Sequence, residues 1–513
     1  MMEILNPKAK VLALAASFAL ALSAHAKAEI TPARVFGSDM VLQCEAPIRV
    51  WGTAENGTTV TITLGKETLE AKADASGRWL ATFPPRKAST EPISLTINEH
   101  QFTNILIGEV WICSGQSNMK FTLNASEVNP DLRKKATNDK LRLLVHEGLP
   151  LVAKNGYNEE QLKRCNVDTF FNAKWSTSTP KTAGSASAVG WIFGNGLQRE
   201  MDVPVGIIQI AVGGSAMNNW IAPETAKKHP FTASLYEKDW LTNEDVYEAH
   251  RTRGADALKN VIKKGEPYII GKTPYRWLCE PGFLYEASIA PLKGLSFRGI
   301  VWYQGESDAY STESTAAASE LFPLLIGSWR DQLDAEDSKF IYVQLPGHKA
   351  TNWPRFRENQ RLTESKLPNL SMVVTIDLGS EANIHPKDKQ PIGERVLRLA
   401  LKNTYGKEIT GFPEVENASV DSKEISISFR ECGEGFLPVE GDIPGFEVAD
   451  KSGAFRAASA KLSSPDTITL TSPVANPTTV RYGWMPFPKP ALKLFNSDKL
   501  PLGPFSMVIV GSD

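Results

Sequence analysis

The stretch GEVWICSGQSNM, residues 108–119, decides how the rest of the chain is interpreted. Its apolar first half is typical of a buried strand, and the strand leads into a glycine turn that carries Ser117. Open α/β sheets place functional residues at the carboxyl ends of their strands. We therefore predict that Ser117 is a nucleophile. Because residue 119 is Met, the stretch lacks the second glycine of the G-x-S-x-G elbow, and the scaffold differs from that of the α/β-hydrolases.

Three further apolar runs end in glycine-rich or polar motifs. Residues 205–212 lead to Gly213-Gly214-Ser215, residues 299–303 lead to Gln304-Gly305-Glu306-Ser307, and residues 372–377 lead to His385. Together with a further strand at residues 340–345 and intervening helical segments, these runs predict βα units around a mostly parallel sheet. We expect the four motifs to meet at one edge of that sheet.

Two helices are predicted from apolar spacing. The first has Val189, Phe193 and Leu197 on one face and begins after a cap at Ser185 or Ser187. The second begins at Pro391, with a shared apolar face made of Ile392, Val396, Leu399 and Ala400.

The amino terminus has the pattern of a secretory signal. Lysines precede a short apolar run at residues 11–23, and Ala24-His25-Ala26 fits a signal-peptidase site. We expect residues 1–26 to be removed and the mature protein to be secreted or periplasmic. The apolar run is too short to cross a bilayer and no later stretch of about 20 apolar residues follows, so no stable membrane span is expected.

Charge balance and residue spacing argue against nucleic acid, metals and other cofactors as partners. The 56 Lys and Arg residues nearly balance the 58 Asp and Glu residues, which leaves no strongly basic surface for nucleic acid. The seven histidines and five cysteines show no metal-ligand spacing, so neither a metal nor another cofactor is expected. A disulfide between Cys165 and Cys279 is left open, and so is the oligomeric state.

The sequence pattern at both ends of the mature chain predicts β structure. Short strand-like runs separated by Gly and Pro turns fill residues 27–104 and residues 409–513. We therefore predict an N-terminal β-sandwich domain over 27–104, a catalytic α/β domain over 105–408 and a C-terminal β domain over 409–513.

A serine hydroxyl becomes an effective nucleophile when a base takes its proton. Of the seven histidines, His385 is the one that lies in a strand-end loop of the predicted sheet, so it is the candidate base. The oxyanion formed in acyl transfer needs fixed hydrogen-bond donors. The backbone N–H groups of Ser117 and Gly214 and the side-chain amide of Gln304 are the candidates.

These residues resemble a known family. The order Ser117, Gly214, Gln304, His385 is similar to that of the SGNH (GDSL-like) hydrolases, and the motifs GQSNM, WYQGES and NIHP resemble the sialate O-acetylesterase group of carbohydrate esterases. The resemblance implies a three-layer SGNH α/β domain with a mostly parallel sheet, flanked by β-sandwich-like domains. It also implies hydrolysis of acetyl esters on mono- or oligosaccharides, with Ser117 as nucleophile, His385 as base and then acid, and an oxyanion hole of Ser117, Gly214 and Gln304.

One departure concerns the group that orients His385. Many members of the superfamily carry Asp three residues before the histidine, where this chain has Ala382. We expect the backbone carbonyl of Asn383 to take this role, since it is already close along the chain. Glu381 and Asp377 are the alternatives.

Two further departures bear on the substrate. Glu286 and Asp308 stand where the family often has asparagine, and extra carboxylates near the pocket disfavour an anionic sugar. This slightly favours an acetylxylan-type substrate over 9-O-acetylated sialic acid, although Arg276, Arg355 and Arg357 could form a carboxylate clamp. The candidates for substrate contact are Gln116, Asn118, Trp220, Trp277, Tyr303 and Glu306. The rival from another class is a glycan-binding protein with a decayed esterase site.

Overall fold

The computed structural model of the chain describes residues 29–262, 269–270, 273–274 and 276–511. The predicted signal peptide, residues 1–26, lies outside the described residues. In the part of the chain that is described, no helix combines the length and apolar character needed to cross a bilayer.

Eight strands lie between residue 29, where the described part of the chain begins, and the serine turn. They are Thr31–Pro32 (β1), Val41–Gln43 (β2), Ile48–Thr53 (β3), Thr59–Leu64 (β4), Glu67–Lys72 (β5), Arg78–Phe83 (β6), Ser89–Ile97 (β7) and His100–Gly115 (β8). β3 pairs antiparallel with β1 and β6, and β4 pairs antiparallel with β5 and β7. Buried and exposed residues alternate along β4 and β6, as they do in strands with one face on a core.

Strand β8 passes from this β-rich region into the central sheet. Its first half pairs antiparallel with β7, and its second half pairs parallel with strands on both sides. Residues 105–115 are therefore buried throughout, which accounts for their largely apolar pattern, and the buried Glu109 is paired with Arg298. The predicted boundary between residues 104 and 105 falls inside this single strand, and the domain limits stay a prediction.

The middle of the chain supplies the rest of the central sheet and one separate hairpin. Its strands are Asn138–His146 (β9), Ala173–Ser178 (β10), Val205–Ala211 (β11), Ile269–Ile270 (β12), Thr273–Pro274 (β13), Gly299–Tyr303 (β14), Lys339–Val343 (β15) and Leu370–Val373 (β16). The sheet has the order β10-β9-β11-β8-β14-β15-β16, and its neighbours pair parallel except at the β10 edge. The carboxyl ends of β8, β11, β14 and β16 thus lie along one edge.

Helices flank these strands. The α-helices are Ser117–Lys120, Pro130–Lys134, Glu159–Lys163, Pro180–Ser185, Ala188–Met201, Pro223–Ala226, Glu248–Ile262, Thr312–Gln332, Trp353–Thr363 and Gln390–Asn403. A π-helical turn spans Tyr285–Ile289, and 3-10 turns span Met217–Asn219, Ala233–Tyr236 and Ala290–Leu292.

Both predicted helices are confirmed. Ser187, one of the two residues proposed as a cap, accepts a hydrogen bond from the backbone N–H of Gly190 at 3.1 Å. The Gln390–Asn403 helix packs directly on this first helix, and a Cβ at Gly393 would lie only 2.7 Å from the Cβ of Ile192. The absence of a side chain at residue 393 therefore allows the two backbones to approach.

The C-terminal region forms two four-stranded antiparallel sheets. The strands are Glu414–Asp421 (β17), Glu424–Arg430 (β18), Phe446–Ala449 (β19), Arg456–Ala457 (β20), Ser459–Ser464 (β21), Thr467–Thr471 (β22), Thr479–Tyr482 (β23) and Phe505–Val508 (β24). Their orders are β17-β18-β22-β21 and β20-β19-β23-β24. The β structure predicted for this region is thus present.

All five cysteines lie in the described residues as buried free thiols. Cys165 and Cys279, the pair left open by the sequence, are not joined.

Candidate active site

Ser117 begins a one-turn helix directly after β8. The turn that carries it needs glycine at residue 115, because φ there is +135° and a Cβ would collide with the carbonyl oxygen of Tyr303. The backbone N–H of Gln116 donates to that same carbonyl at 3.0 Å. The end of β14 therefore fixes the position of the serine at the end of β8.

His385 and Ser117 meet across this edge of the sheet. The Nε2 atom of His385 lies 2.8 Å from Ser117 Oγ, and both side chains are half-buried. Burial and the nearby charge of Lys389 lower the pKa of His385, which keeps its ring in the neutral, proton-accepting form. The geometry is that of a nucleophile and its general base.

None of the three candidates for orienting His385 binds its ring in the structure. Arg395 holds Asp377 by two hydrogen bonds of 2.6 and 2.7 Å, and Lys489 holds Glu381 at 2.7 Å. Asn383 accepts the backbone N–H of His385 with its side-chain oxygen at 3.0 Å, and its backbone carbonyl does not bind the ring. Within the described residues His385 Nδ1 has no hydrogen-bond partner, so the expectation of a carbonyl partner is not met.

Two backbone donors are free beside Ser117. The N–H groups of Ser117 and Gly214 have no acceptor among the described residues. The glycine turn lies against the serine, since a Cβ at Gly213 would stand 3.5 Å from Ser117 Cβ. These two N–H groups are therefore available to an oxyanion.

The third predicted donor is already engaged. Gln304 is fully buried, and its side-chain amide donates both to the carbonyl oxygen of Ser215, at 3.2 Å, and to the carboxylate of Asp308. An amide nitrogen has only two hydrogens. Gln304 could serve an oxyanion only after giving up one of these bonds, so its predicted role stays a prediction.

A buried polar network lies under the serine and histidine. Asn118 donates to Glu306 and to the carbonyl of Ile384, the latter at 3.0 Å, and it accepts from Lys389 Nζ at 2.5 Å. Burial lowers the pKa of Lys389 to about 7 and raises the pKa of Glu306. Asn118 thus ties the helix of Ser117 to the residue that precedes His385.

Sequence reasoning missed Lys389. Little in the sequence indicates that this lysine is buried, because a lysine in a polar loop, four residues after the candidate base, is usually solvated. The structure instead buries it fully, with Nζ 5.0 Å from the centre of the Phe121 ring and 5.6 Å from that of Tyr303.

The residues proposed for substrate contact lie beneath the surface. All six are at most 7 % exposed, namely Gln116, Asn118, Trp220, Trp277, Tyr303 and Glu306. The indole N–H of Trp220 donates to Ser215 Oγ at 2.9 Å, and that of Trp277 donates to the Tyr157 hydroxyl at 3.2 Å. We therefore assign these side chains to the packing around the site instead of to sugar contact.

The charged side chains on which the predicted substrate preference depended are largely neutralised by partners inside the protein. Glu286 pairs with Arg276 at 2.6 Å, and Asp308 accepts N–H groups of Gln304 and Met217 while burial raises its pKa to about 7. Arg357 is fully buried and bonds to backbone carbonyls, including that of Pro486 at 3.2 Å. The carboxylates do not repel an anion as free charges would, and neither Arg276 nor Arg357 is free to bind one.

Comparison with known proteins places the chain in a family. The sequence model described as carbohydrate esterase, sialic acid-specific acetylesterase, matches residues 107–249 and 267–400, more than half of the chain. The chain belongs to this family. This carbohydrate esterase is 28 % identical to the sialate O-acetylesterase of Rattus norvegicus over 72 % of either chain. It is 26 % identical to that of Pongo abelii over 94 % of this chain and 93 % of the relative.

A solved structure shares the architecture of this carbohydrate esterase. The crystal structure of a carbohydrate acetylesterase from Xanthomonas citri superposes with a TM-score of 0.73 at 26 % identity, covering 93 % of this chain and 99 % of that one. The predicted family is therefore confirmed, and so is the predicted reaction class, since the protein is a carboxylic ester hydrolase.

Proposed function

We propose that this esterase releases acetate from O-acetylated sugars through an acetyl-enzyme formed on Ser117. The observation that carries the proposal is the 2.8 Å contact between Ser117 Oγ and His385 Nε2, next to the free N–H groups of Ser117 and Gly214. A nucleophile, a base and oxyanion donors at one sheet edge are the parts that acyl transfer needs.

In the acylation step, Ser117 Oγ attacks the carbonyl carbon of the acetyl group while His385 Nε2 takes the serine proton. The carbonyl oxygen becomes an oxyanion, which the N–H groups of Ser117 and Gly214 stabilise. When the intermediate collapses, the bond to the sugar oxygen breaks and His385 returns the proton to that oxygen. The sugar leaves with a free hydroxyl, and the acetyl group stays on Ser117.

In the deacylation step, His385 takes a proton from water and the resulting hydroxide attacks the acetyl carbon. The same two N–H groups stabilise the second oxyanion. Collapse of this intermediate breaks the bond to Ser117 Oγ, the proton returns to the serine, and acetate leaves.

The proposal includes a layout and a location. We assign the parallel central strands with helices to the SGNH arrangement and the N- and C-terminal strands to flanking β-sandwich-like domains, which the pairing order and the resemblance of the motifs support. We assign the protein to the secreted or periplasmic compartment, a proposal supported by the signal-like residues 1–26.

Acetate release tests the proposal. Wild type and Ser117→Ala are compared on O-acetylated sialic acid and on acetylated xylo-oligosaccharide. We expect the wild type to release acetate from at least one of them and the variant to lose activity by about a thousandfold or more. A wild type that releases none, beside a Ser117→Ala protein that binds an acetylated glycan normally, would support the glycan-binding rival instead.

A further inference from the structure

A buried histidine contacts the glycine turn that carries the Gly214 N–H. His250, on the helix Glu248–Ile262, has Nε2 2.8 Å from the carbonyl oxygen of Gly214 and is fully buried. The family match stops at residue 249 and resumes at residue 267, so it leaves out nearly all of this helix. The contact between His250 and the turn is therefore not part of the sequence pattern that defines the family.

The ring of His250 acts as a hydrogen-bond donor in this contact. Burial lowers the pKa of His250 to about 4, so the ring is neutral at ordinary pH and carries a single N–H. A carbonyl oxygen only accepts, so the hydrogen is on Nε2 and Nδ1 is bare. In the described part of the chain Nδ1 is buried without a hydrogen-bond partner. Among those residues, the Gly214 carbonyl is thus the one hydrogen-bond partner of the ring.

Aromatic packing fixes the position of this donor. The rings of Tyr247 and Trp277 meet the His250 ring edge to face, with centres 5.0 and 6.3 Å away. Trp277 is itself fully buried. Side chains packed in a core are held in one arrangement, so Nε2 of His250 has a defined place relative to the sheet.

The glycine turn needs such a restraint. Gly213 and Gly214 are consecutive, φ at Gly214 is +74°, and glycine has more backbone freedom than any other residue. The Gly214 N–H is available to an oxyanion only while this backbone keeps one conformation. His250 anchors the Gly214 carbonyl, and Gln304 anchors the next carbonyl, that of Ser215, at 3.2 Å. Two successive carbonyls are therefore held from distant parts of the chain, and the N–H that precedes them stays free.

We propose that His250 is a positioning residue of the oxyanion hole, which keeps the Gly214 N–H in place through its bond to the Gly214 carbonyl. The proposal rests on the proposed function, since it concerns the oxyanions of that reaction. It adds to the site a residue that contacts neither the substrate nor Ser117.

Two amide variants test the bond itself, with 4-nitrophenyl acetate as a substrate that has no sugar. His250→Gln keeps an N–H donor near the place of Nε2, whereas the side chain of His250→Asn is too short to reach the carbonyl. We expect His250→Asn to lower kcat by about tenfold to a hundredfold. Because the oxyanions form only during the reaction, kcat and kcat/KM should fall together and KM should change little. His250→Gln should recover most of the loss.

A double variant tests whether the effect passes through Gly214. Gly214→Ala disturbs the same N–H directly. If His250 acts through that N–H, the two losses do not multiply, and Gly214→Ala/His250→Asn should be only slightly slower than Gly214→Ala.

His146→Asn is the matched control. His146 is also buried, has Nε2 3.1 Å from a backbone carbonyl, that of Phe170, and has a buried Nδ1 with no partner among the described residues. Phe170 lies outside the glycine turn. We expect His146→Asn to lower the melting temperature about as much as His250→Asn does, with kcat unchanged.

Three results would overturn the assignment. Equal kcat for the His250→Gln and His250→Asn proteins, or a His250→Asn protein that is less stable but keeps the wild-type kcat, would leave His250 with a purely structural role. Losses that multiply in the double variant would place its effect away from Gly214. Failure of the esterase mechanism itself would be visible separately, as 4-nitrophenyl acetate turnover that survives Ser117→Ala in a chain with His250 intact.

Discussion

Replacing Asn118 by alanine should damage both the stability and the catalytic power of the esterase. The side chain makes three buried hydrogen bonds, two of them to the ionisable groups of Glu306 and Lys389 and one to the carbonyl of Ile384. A bond to a charged partner contributes about 1.5–3 kcal/mol and a neutral one about 0.5–1.5 kcal/mol. Because the pKa of Lys389 is lowered to about 7, part of the cost is relieved by neutralisation. We expect the free energy of unfolding to fall by about 4 kcal/mol.

The catalytic effect has a separate cause. The bond from Asn118 to the Ile384 carbonyl holds the residue before His385, so its loss frees the loop that sets the 2.8 Å contact with Ser117. A displacement of about 1 Å in a reacting group costs on the order of a hundredfold in rate. Denaturant unfolding and kcat on 4-nitrophenyl acetate, both measured well below the melting temperature, report the two effects independently.

Asn138→Ala is the matched control. Asn138 also makes three side-chain hydrogen bonds, of 2.9 to 3.1 Å, but its partners Asn195, Gln198 and the N–H of Lys140 are uncharged. It lies at the start of β9, whose opposite end points toward the site. We expect a loss of about 1–3 kcal/mol with kcat unchanged. An Asn118→Ala protein that loses stability but keeps full kcat would refute the idea that this network positions His385.

Further predictions concern the histidine and its surroundings. The proposed mechanism needs neutral His385, whose pKa is lowered by burial and by the charge of Lys389. We therefore expect kcat/KM to reach half its plateau below about pH 6.5 and Lys389→Met to move this acid limb to higher pH. A pH profile from 4 to 8 measures both. Glu381→Ala should retain most activity because Glu381 binds Lys489, and a thousandfold loss in kcat would identify it as the missing acid. Gly214→Ala should lower kcat/KM at least tenfold, since φ is +74° and the new methyl would collide with Leu151; normal kinetics would show that the turn adapts.

Strands and motifs that depend on the local sequence pattern could be predicted from the sequence. The buried, mostly apolar runs in strands β8, β11 and β14 and the motifs that follow them were predicted, because a strand buried on both faces is rich in apolar residues. Strand β9 was missed. Its polar start, Asn138-Asp139-Lys140, resembles a loop, and its pairing with β10 on one side and β11 on the other makes it a strand.

Contacts between distant parts of the chain could not be read from pattern. Asn118 and Lys389 are 271 residues apart, and no local feature distinguishes this buried lysine from a solvated one. The boundary proposed at residue 104 rested on a change of pattern, whereas β8 continues through it.

The site also shows how a histidine can be oriented without the usual carboxylate. The loop that carries His385 is fixed at its start by the ion pair of Asp377 with Arg395, near the ring by Asn118 on the Ile384 carbonyl, and locally by the Asn383 turn. Backbone restraint therefore supplies orientation, but it supplies no negative charge. In the proposed acylation step, no acid among the described residues contacts the imidazolium, and the charge of Lys389 opposes it. A low pKa and a weakly stabilised imidazolium suit a base that must release its proton quickly to the leaving sugar oxygen, which is a better leaving group than the amine of a peptide bond.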